Sequence, residues 1–481
     1  MAPEATLIVV KMILDPFPAF GSEPAQAGFF DANLIPIGLQ FVKDKVAELN
    51  LPSVTIMNFG SIDGPTDGTS SISRAMDDFI NDGHVLVCGV GDDGGDDNHA
   101  FGTVSQSATP EILINKGAAG NLRFDLWYSE SNCFDITIEN PNGTQFGPYP
   151  APNASNGVIN IFQSGFSFYH RGADVDFFQV TSNTREILID IFGANGIYKI
   201  IMTSTSISDT GEFHASLNPA SYANNNRFMN HVQTGYSIND YTSAFNVITP
   251  GDYVVNNTWV DINGIPRSRV GEGNVGEIWA GSSSGPTYDG RAGIDFIAPG
   301  EVWFAPYSPN TYYANFQFNM IQGGNGLYGL QNAVSAAAPV AAGVIALMLE
   351  LDPTLTNNEI KDILNQTARE DSFTGATPNI TWGNGKLDAL AAVQAISSVL
   401  SVAEESQGLS VKLYPNPVDQ YLNIEAISNV DQVTIFSIQG KKIANFDNVE
   451  RELDLSNLKS GIYFLQLKMN DFSENIKIIV L

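Results

Sequence analysis

The chain has 481 residues, about three domains' worth, and its 43% apolar and 16% charged content describes a globular chain with ample core. Lys and Arg number 23 against 52 Asp and Glu, a net charge of -29, which argues against nucleic acid or anionic lipid as a partner and suits an exposed or extracellular protein. Two cysteines, Cys88 and Cys133, exclude a disulfide framework and read as unpaired packing residues. No apolar run reaches the ~20 residues of a membrane helix, so no transmembrane segment is expected. The start "MAPEATLIVVKM" lacks the basic region and cleavage site of a signal peptide.

In chain order, Thr6–Met12 is a continuous apolar run, expected as a strand buried on both faces. Leu39, Val42, Val46 and Leu49 have helical spacing. "SVTIMNF" is a second strand. Ile72, Ala75, Met76, Phe79 and Ile80 form a helical stripe, with Gly83 placed as its stop. "HVLVCGVG" closes the series as a third buried strand. Strand, helix, strand, helix, strand implies a parallel α/β sheet flanked by helices. From 105 to 218 the pattern becomes short alternating runs separated by Asn, Gly, Pro and Ser, the texture of an inserted all-β sandwich. The α/β texture returns over 219–400, with helices expected at 336–350, 357–367 and 388–400. A polar linker, 401–409, leads to a last small β-sandwich over 410–481, with Tyr463, Leu465 and Leu467 on one face.

"NAVSAAAPVAAG", 332–343, places a serine at the start of an apolar helix. There the backbone N–H groups and the helix dipole favour negative charge, which suits a nucleophile that builds an oxyanion beside it. Alanines 336–338 would clear space for a substrate backbone, and Pro339 is tolerated in a first helical turn because its missing N–H would be unpaired there. The same features suit a buried serine opening a core helix.

Five stretches together decide between the two. "SAAAPVAAGVIALM", "APEATLIVVKM", "GPTDGTSSISRAMDDF" with "VLVCGVGDDG", "SSSGPTYDGRAGIDFIAPG" and "GNGKLDALAAVQA" resemble, in the same order, segments of the subtilisin-like serine peptidases over about 1–104 and 219–400. The resemblance implies peptide-bond hydrolysis through an acyl-enzyme on Ser335, with a peptide substrate as partner. It implies that the peptide lies extended between Asn58-Phe59-Gly60 and Gly89-Val90-Gly91, paired to both by backbone, with Phe59 shaping a subsite.

This chain departs from the family pattern at several points. Ala333-Val334 stand for the family's Gly-Thr, and Val340 stands for a histidine. The oxyanion-hole Asn falls on Asp92, whose carboxylate cannot donate unless protonated; loss of that donor costs about 10²–10³ in rate, as measured in subtilisin. The family's Asp and His segments precede the stretch that begins this chain. Of the five histidines, His84, His99, His170, His214 and His231, none lies in a family-like motif, and each reads as a surface or loop residue. The chain is therefore expected to be a nearly inert fragment of a longer precursor, the alternative being a catalytically dead scaffold that acts as a surface binding protein.

At the other end, "LYPNPV", "FSIQGKKI", "LDLSNLKSGIYFLQL" and "NIKIIVL" resemble the type IX secretion sorting domain of Bacteroidetes. That implies the type IX machinery as partner of residues 410–481 and a secreted or outer-membrane surface location. Two weaker signals complete the reading. "GSSSG", 281–285, matches a hydrolase elbow at Ser283, but Pro286 stands where that motif needs a helix. The loop "GDDGGDDN", 91–98, spaces carboxylates as calcium could use, though a solvated acidic turn is the plainer reading; no cofactor or metal is assigned.

Overall fold

The computed structural model of the chain describes residues 2, 4–14, 29–117, 120–175, 183–219, 225–308, 316–402, 412–425, 430–437, 441–449, 451–469 and 472–480. It divides into two compact units, Met1–Ser398 and Val399–Leu481.

The first unit is built on a parallel sheet. Val54–Met57 pairs with Val85–Cys88, and Val87 bridges to Ile248, which continues into Pro250–Val254. That strand pairs with Phe296–Glu301, which bridges in turn to Lys386. Alternation along Val85–Cys88 sends its side chains to two cores. Leu86 and Cys88 pack with α1 (Ile35–Leu49) and α2 (Ser71–Asn81). Val85 and Val87 pack with α3 (Val334–Leu351), α4 (Asn357–Thr367) and the start of α5 (Ala389–Val402). Every side chain of this strand is buried, which is why it reads as a continuous apolar run.

Helix spacing gave α1, α2 and α4 closely. In α2, Met76, Phe79 and Ile80 are buried, Ser70 caps the first turn by accepting from Ser73 N–H, and Gly83 follows at φ +96°. In α4, Thr356 and Glu359 form a capping box. Helix α3 is long and apolar enough to cross a membrane by composition; here Ala337, Ala338, Ala341 and Ile345 are fully buried, and it is the central core helix of this unit.

Residues Thr6–Met12 are a correction. They form no regular element and join no ladder, and Leu7 and Val9 are exposed at 85% and 83%. Val10 and Met12 turn inward against the core under α1. A strand buried on both faces needs neighbours along its edges, and between this segment and Val54–Met57 lies an apolar cavity of about 730 Å³, lined also by Val42 and Ala342. The far edge of Val54–Met57 is likewise unpaired among the described residues.

The insert is an all-β sandwich of two antiparallel sheets. One orders strands 158–163, 166–171, 184–191, 122–129, 212–218 and 99–103; the other orders 227–228, 111–116, 196–206, 133–139 and 145–149. It therefore draws in His99–Thr103 and Arg227–Phe228, beyond the 105–218 span that sequence texture marks. Its core is one cluster that includes Phe124, Phe134, Phe168, Ile189 and Phe213.

The second unit packs a three-stranded sheet (412–414, 421–425, 452–454) and a four-stranded sheet (442–449, 430–437, 461–469, 472–480). Leu465 and Leu467 are fully buried and Tyr463 packs beside them, as the alternation predicts. Lys442–Val449 and Glu452–Asp454 are additional strands whose polar sequences gave no strand signal. Ser401 and Val402 belong to α5 rather than to a linker; the rest of the predicted linker lies outside the described residues.

Candidate active site

Helix α3 begins at Val334, with Ala333 as its N-cap residue at φ +67°, ψ -179°. Only glycine adopts that backbone region without strain, which costs other residues about 1–3 kcal/mol. Ser335 is thus the second helical residue, in the first turn but not its cap, and it is exposed. Two N–H groups at this helix start, which have no partners within the helix, are taken by carboxylates. Ala333 N–H donates to Glu301 Oε2 at 3.2 Å and Val334 N–H to Asp92 Oδ1 at 3.0 Å. Glu301 is held from its other side by Arg269 Nη1 at 3.0 Å, and its own N–H donates to Asp252 Oδ1 at 2.9 Å.

Three carboxyl groups thus crowd the base of the serine turn. Desolvation raises Asp92, against the Val334 hydrogen bond. Desolvation, then repulsion from Glu301, lifts Asp252 well above its ordinary value. Desolvation also raises Glu301, opposed by Arg269. All three shifts favour the protonated form, the form in which Asp92 can donate a hydrogen bond.

Pro339 is the sixth residue of α3, not a first-turn residue, and it removes the N–H that would bond to the carbonyl of Ser335. Asn58 fills that place: its Nδ2 donates to Ser335 O at 2.8 Å. Asn58, placed by sequence at a substrate edge, therefore also repairs a helix defect at the serine. Alanines 336–338 are a second correction. They are 7%, 0% and 0% exposed, because α3 lies so close to the sheet that a Cβ at Gly89 would meet Val334 Cγ1 at 2.5 Å and Ala338 Cβ at 3.6 Å. Their small size serves helix–sheet packing rather than substrate clearance.

The two proposed banks are not equivalent. Asn58, Phe59 and Gly60 are exposed at the end of their strand. Gly89, Val90 and Gly91 are already bonded: Asn239 Nδ2 donates to Gly89 O at 2.7 Å and Asn239 N–H to Val90 O at 2.9 Å, Val90 N–H donates to Pro250 O at 3.1 Å, and Ser283 N–H donates to Gly91 O at 3.0 Å. All three carbonyls thus already accept a hydrogen bond within the fold, which leaves this segment less free to pair with a peptide than an open strand edge. Asn239, 3% exposed, wedges between the banks; a Cβ at Gly60 would meet its Oδ1 at 2.4 Å. Sequence reading missed Asn239 because it belongs to neither strand. Tyr241, inside the 3-10 turn Asp240–Ser243 that Asn239 caps, meets Phe59 edge-on at 6.4 Å.

Residues 2–385 match the Subtilase family and residues 412–481 match the secretion system C-terminal sorting domain. The chain belongs to the subtilase family. Over 108 residues it is 35% identical to the serine protease AprX of Bacillus subtilis, a stretch that makes up 22% of this chain and 23% of AprX. The chain thus aligns with under a quarter of that relative's length. Its fold is similar to that of the CspB protease of Clostridium perfringens, with a TM-score of 0.59 at 19% identity over 77% of this chain and 72% of the other. The sorting domain marks this subtilase for export through type IX secretion, to the cell surface or the medium.

The histidines of this subtilase are all engaged elsewhere. His99 and His214 share a hydrogen bond of 3.2 Å and stack on Tyr236 and Tyr288, at 4.8 and 4.2 Å between ring centroids. His170 is fully buried and bonds Tyr128 at 2.6 Å. His84 stacks on Phe79, and His231 lies edge-on to Phe213. The surface-or-loop reading fails for His99, His170 and His214: aromatic neighbours in the sandwich and at its seam bury the first two and half-bury His214, and desolvation lowers His170 to about 3 and His214 to about 4. Among the described residues, no imidazole hydrogen-bonds Ser335.

The remaining signals are structural. Ser283 is buried, its Oγ accepting from Asp93 N–H at 3.0 Å, and no helix follows it. Cys88 is buried, with burial pushing its thiol up to about 12. Among the described residues, no three His, Cys, Asp or Glu side chains converge to hold a metal ion, including those of the 91–98 loop.

Proposed function

We propose that this chain is the body of a serine endopeptidase exported to the cell surface, with Ser335 as nucleophile. The observation that carries the reading is the exposed hydroxyl on the first turn of α3, flanked by Asp92 on the Val334 N–H and by Asn58 on the Ser335 carbonyl. Ser335 Oγ would attack the scissile carbonyl while its proton passes to a base. The C–N bond would then break as the amine takes that proton, and water would hydrolyse the ester. A protonated Asp92, still accepting from Val334 through Oδ1, would donate to the oxyanion through its other oxygen. The substrate would lie extended along Asn58-Phe59-Gly60, with Phe59 at one subsite.

No base for Ser335 lies within reach among the described residues. Loss of the histidine alone costs subtilisin about 2 × 10⁶ in kcat. On this reading Ser335 of residues 1–481 lacks a proton acceptor, and residues 1–481 alone are inert.

A second reading, a dead scaffold that displays the insert, is favoured by alanine in the strained position 333 and by the carboxylate at 92. A fluorophosphonate probe separates the two. Residues 1–481 should not be labelled, and rapid labelling of Ser335 there would refute the missing-base assignment. The native exported protein should be labelled at Ser335 if the peptidase reading holds; a native protein that stays unlabelled is the dead scaffold.

A further inference from the structure

The sandwich carries a concavity of its own, formed where the turns at 140–143, 164–165 and 193–195 meet. It encloses about 240 Å³ and no charged side chain lines it. Its floor is made by the buried Phe166 and Tyr198. One wall is the close pair Gly165 and Gly193, where a Cβ on Gly193 would meet the Tyr198 hydroxyl at 2.7 Å.

The polar groups at the rim are oriented by the fold. Thr144 N–H donates to Asn140 Oδ1 at 3.0 Å and to Asn142 Oδ1 at 2.9 Å. An N–H must face an oxygen, so both amides are fixed with their NH₂ groups turned away from the turn. Neither NH₂ has a protein acceptor among the described residues, and the Ser164 hydroxyl there has no protein partner. Tyr198 donates to Ala194 O at 2.9 Å, which leaves its phenolic oxygen able to accept.

We propose that this cavity binds one neutral pyranose ring, the terminal sugar of a glycan. It is smaller than the roughly 300–1,000 Å³ of drug-sized sites, the scale of a single ring. Two free amide donors, a hydroxyl that works either way and a phenolic acceptor match a ligand whose hydroxyls both give and take hydrogen bonds. No cationic side chain lines the cavity, so nothing there pairs with the charge of a phosphate, sulfate or carboxylate. The site is independent of Ser335.

The test is saturation-transfer NMR on the full chain with methyl α-mannopyranoside, methyl β-glucopyranoside, methyl β-galactopyranoside and N-acetylglucosamine. At least one should saturate with a Kd of about 1 mM. Ser164→Tyr, at an exposed position, should fill the cavity and abolish binding. Asn142→Asp keeps the acceptor for Thr144 but removes the donor, and should weaken binding about tenfold. Failure of all four sugars to saturate at tens of millimolar overturns the proposal. So does unchanged affinity in Asn142→Asp, a variant that leaves the turn intact and decides the matter even if Ser164→Tyr misfolds.

Discussion

Asp240 offers a sharp test of the electrostatics at the seam between body and insert. Its carboxyl is 1% exposed, accepts from Thr66 N–H through Oδ1 at 2.9 Å, and leaves Oδ2 without a partner. Burial, reinforced by repulsion from Asp67 and Asp125, raises it from 3.8 to about 7. A carboxyl raised in the folded state binds its proton more tightly there than in the unfolded chain. Its stabilising contribution is therefore complete below pH 3.8 and is lost as pH rises through about 7. Between pH 5 and pH 8 this one group should remove about 2–3 kcal/mol of stability. Asp240→Asn keeps the acceptor for Thr66 and cannot ionise. The new NH₂ lacks a partner and costs about 1 kcal/mol at every pH, so the slope is the readout and not the absolute stability. All five tryptophans lie before residue 399, so urea unfolding followed by tryptophan fluorescence reports the first unit alone. The variant should lose about 2–3 kcal/mol less than the parent between pH 5 and pH 8. Equal slopes would show that Asp240 titrates normally, and the argument from its burial would fail.

Two further predictions concern the serine turn. Ala333→Gly should relieve the strain at φ +67°; after the loss of a buried methyl and the greater freedom of glycine in the unfolded chain, a gain of about 1 kcal/mol is expected in the urea midpoint. A loss of stability would mean that the backbone there is unstrained. Asn58→Ala should cost up to about 1 kcal/mol, because Ser335 O then has only water to replace its 2.8 Å bond. Asn58→Asp, which cannot donate, should cost at least as much, and a neutral result in both would show that Asn58 does not compensate for Pro339.

The site was legible in part. Ser335 and Asp92 stand in local motifs, and the structure brings them to adjoining positions through the Asp92–Val334 hydrogen bond. Asn58 was read as a substrate edge; its bond to the serine carbonyl was not readable, since it spans 277 residues and answers a defect created by Pro339. Gly89–Gly91 looked free because nothing in its own stretch shows that Asn239, 150 residues away, already holds the Gly89 carbonyl. The alanines after Ser335 are equally ambiguous in sequence: a small side chain admits either a substrate or a neighbouring sheet.

By itself the sequence determined the helices, the buried strands and the change of texture at the insert, because hydrophobic period is a local property set by backbone geometry. It also determined the family through motifs in order. Tertiary structure alone decided that Thr6–Met12 joins no ladder, that His99 and His214 pair at the seam, and that Asp125 of the insert, Gly64 N–H to its Oδ2 at 2.8 Å, shares a buried carboxylate cluster with Asp63 and Asp240. Partners and water access depend on which distant segments meet, and a one-dimensional period carries no record of that.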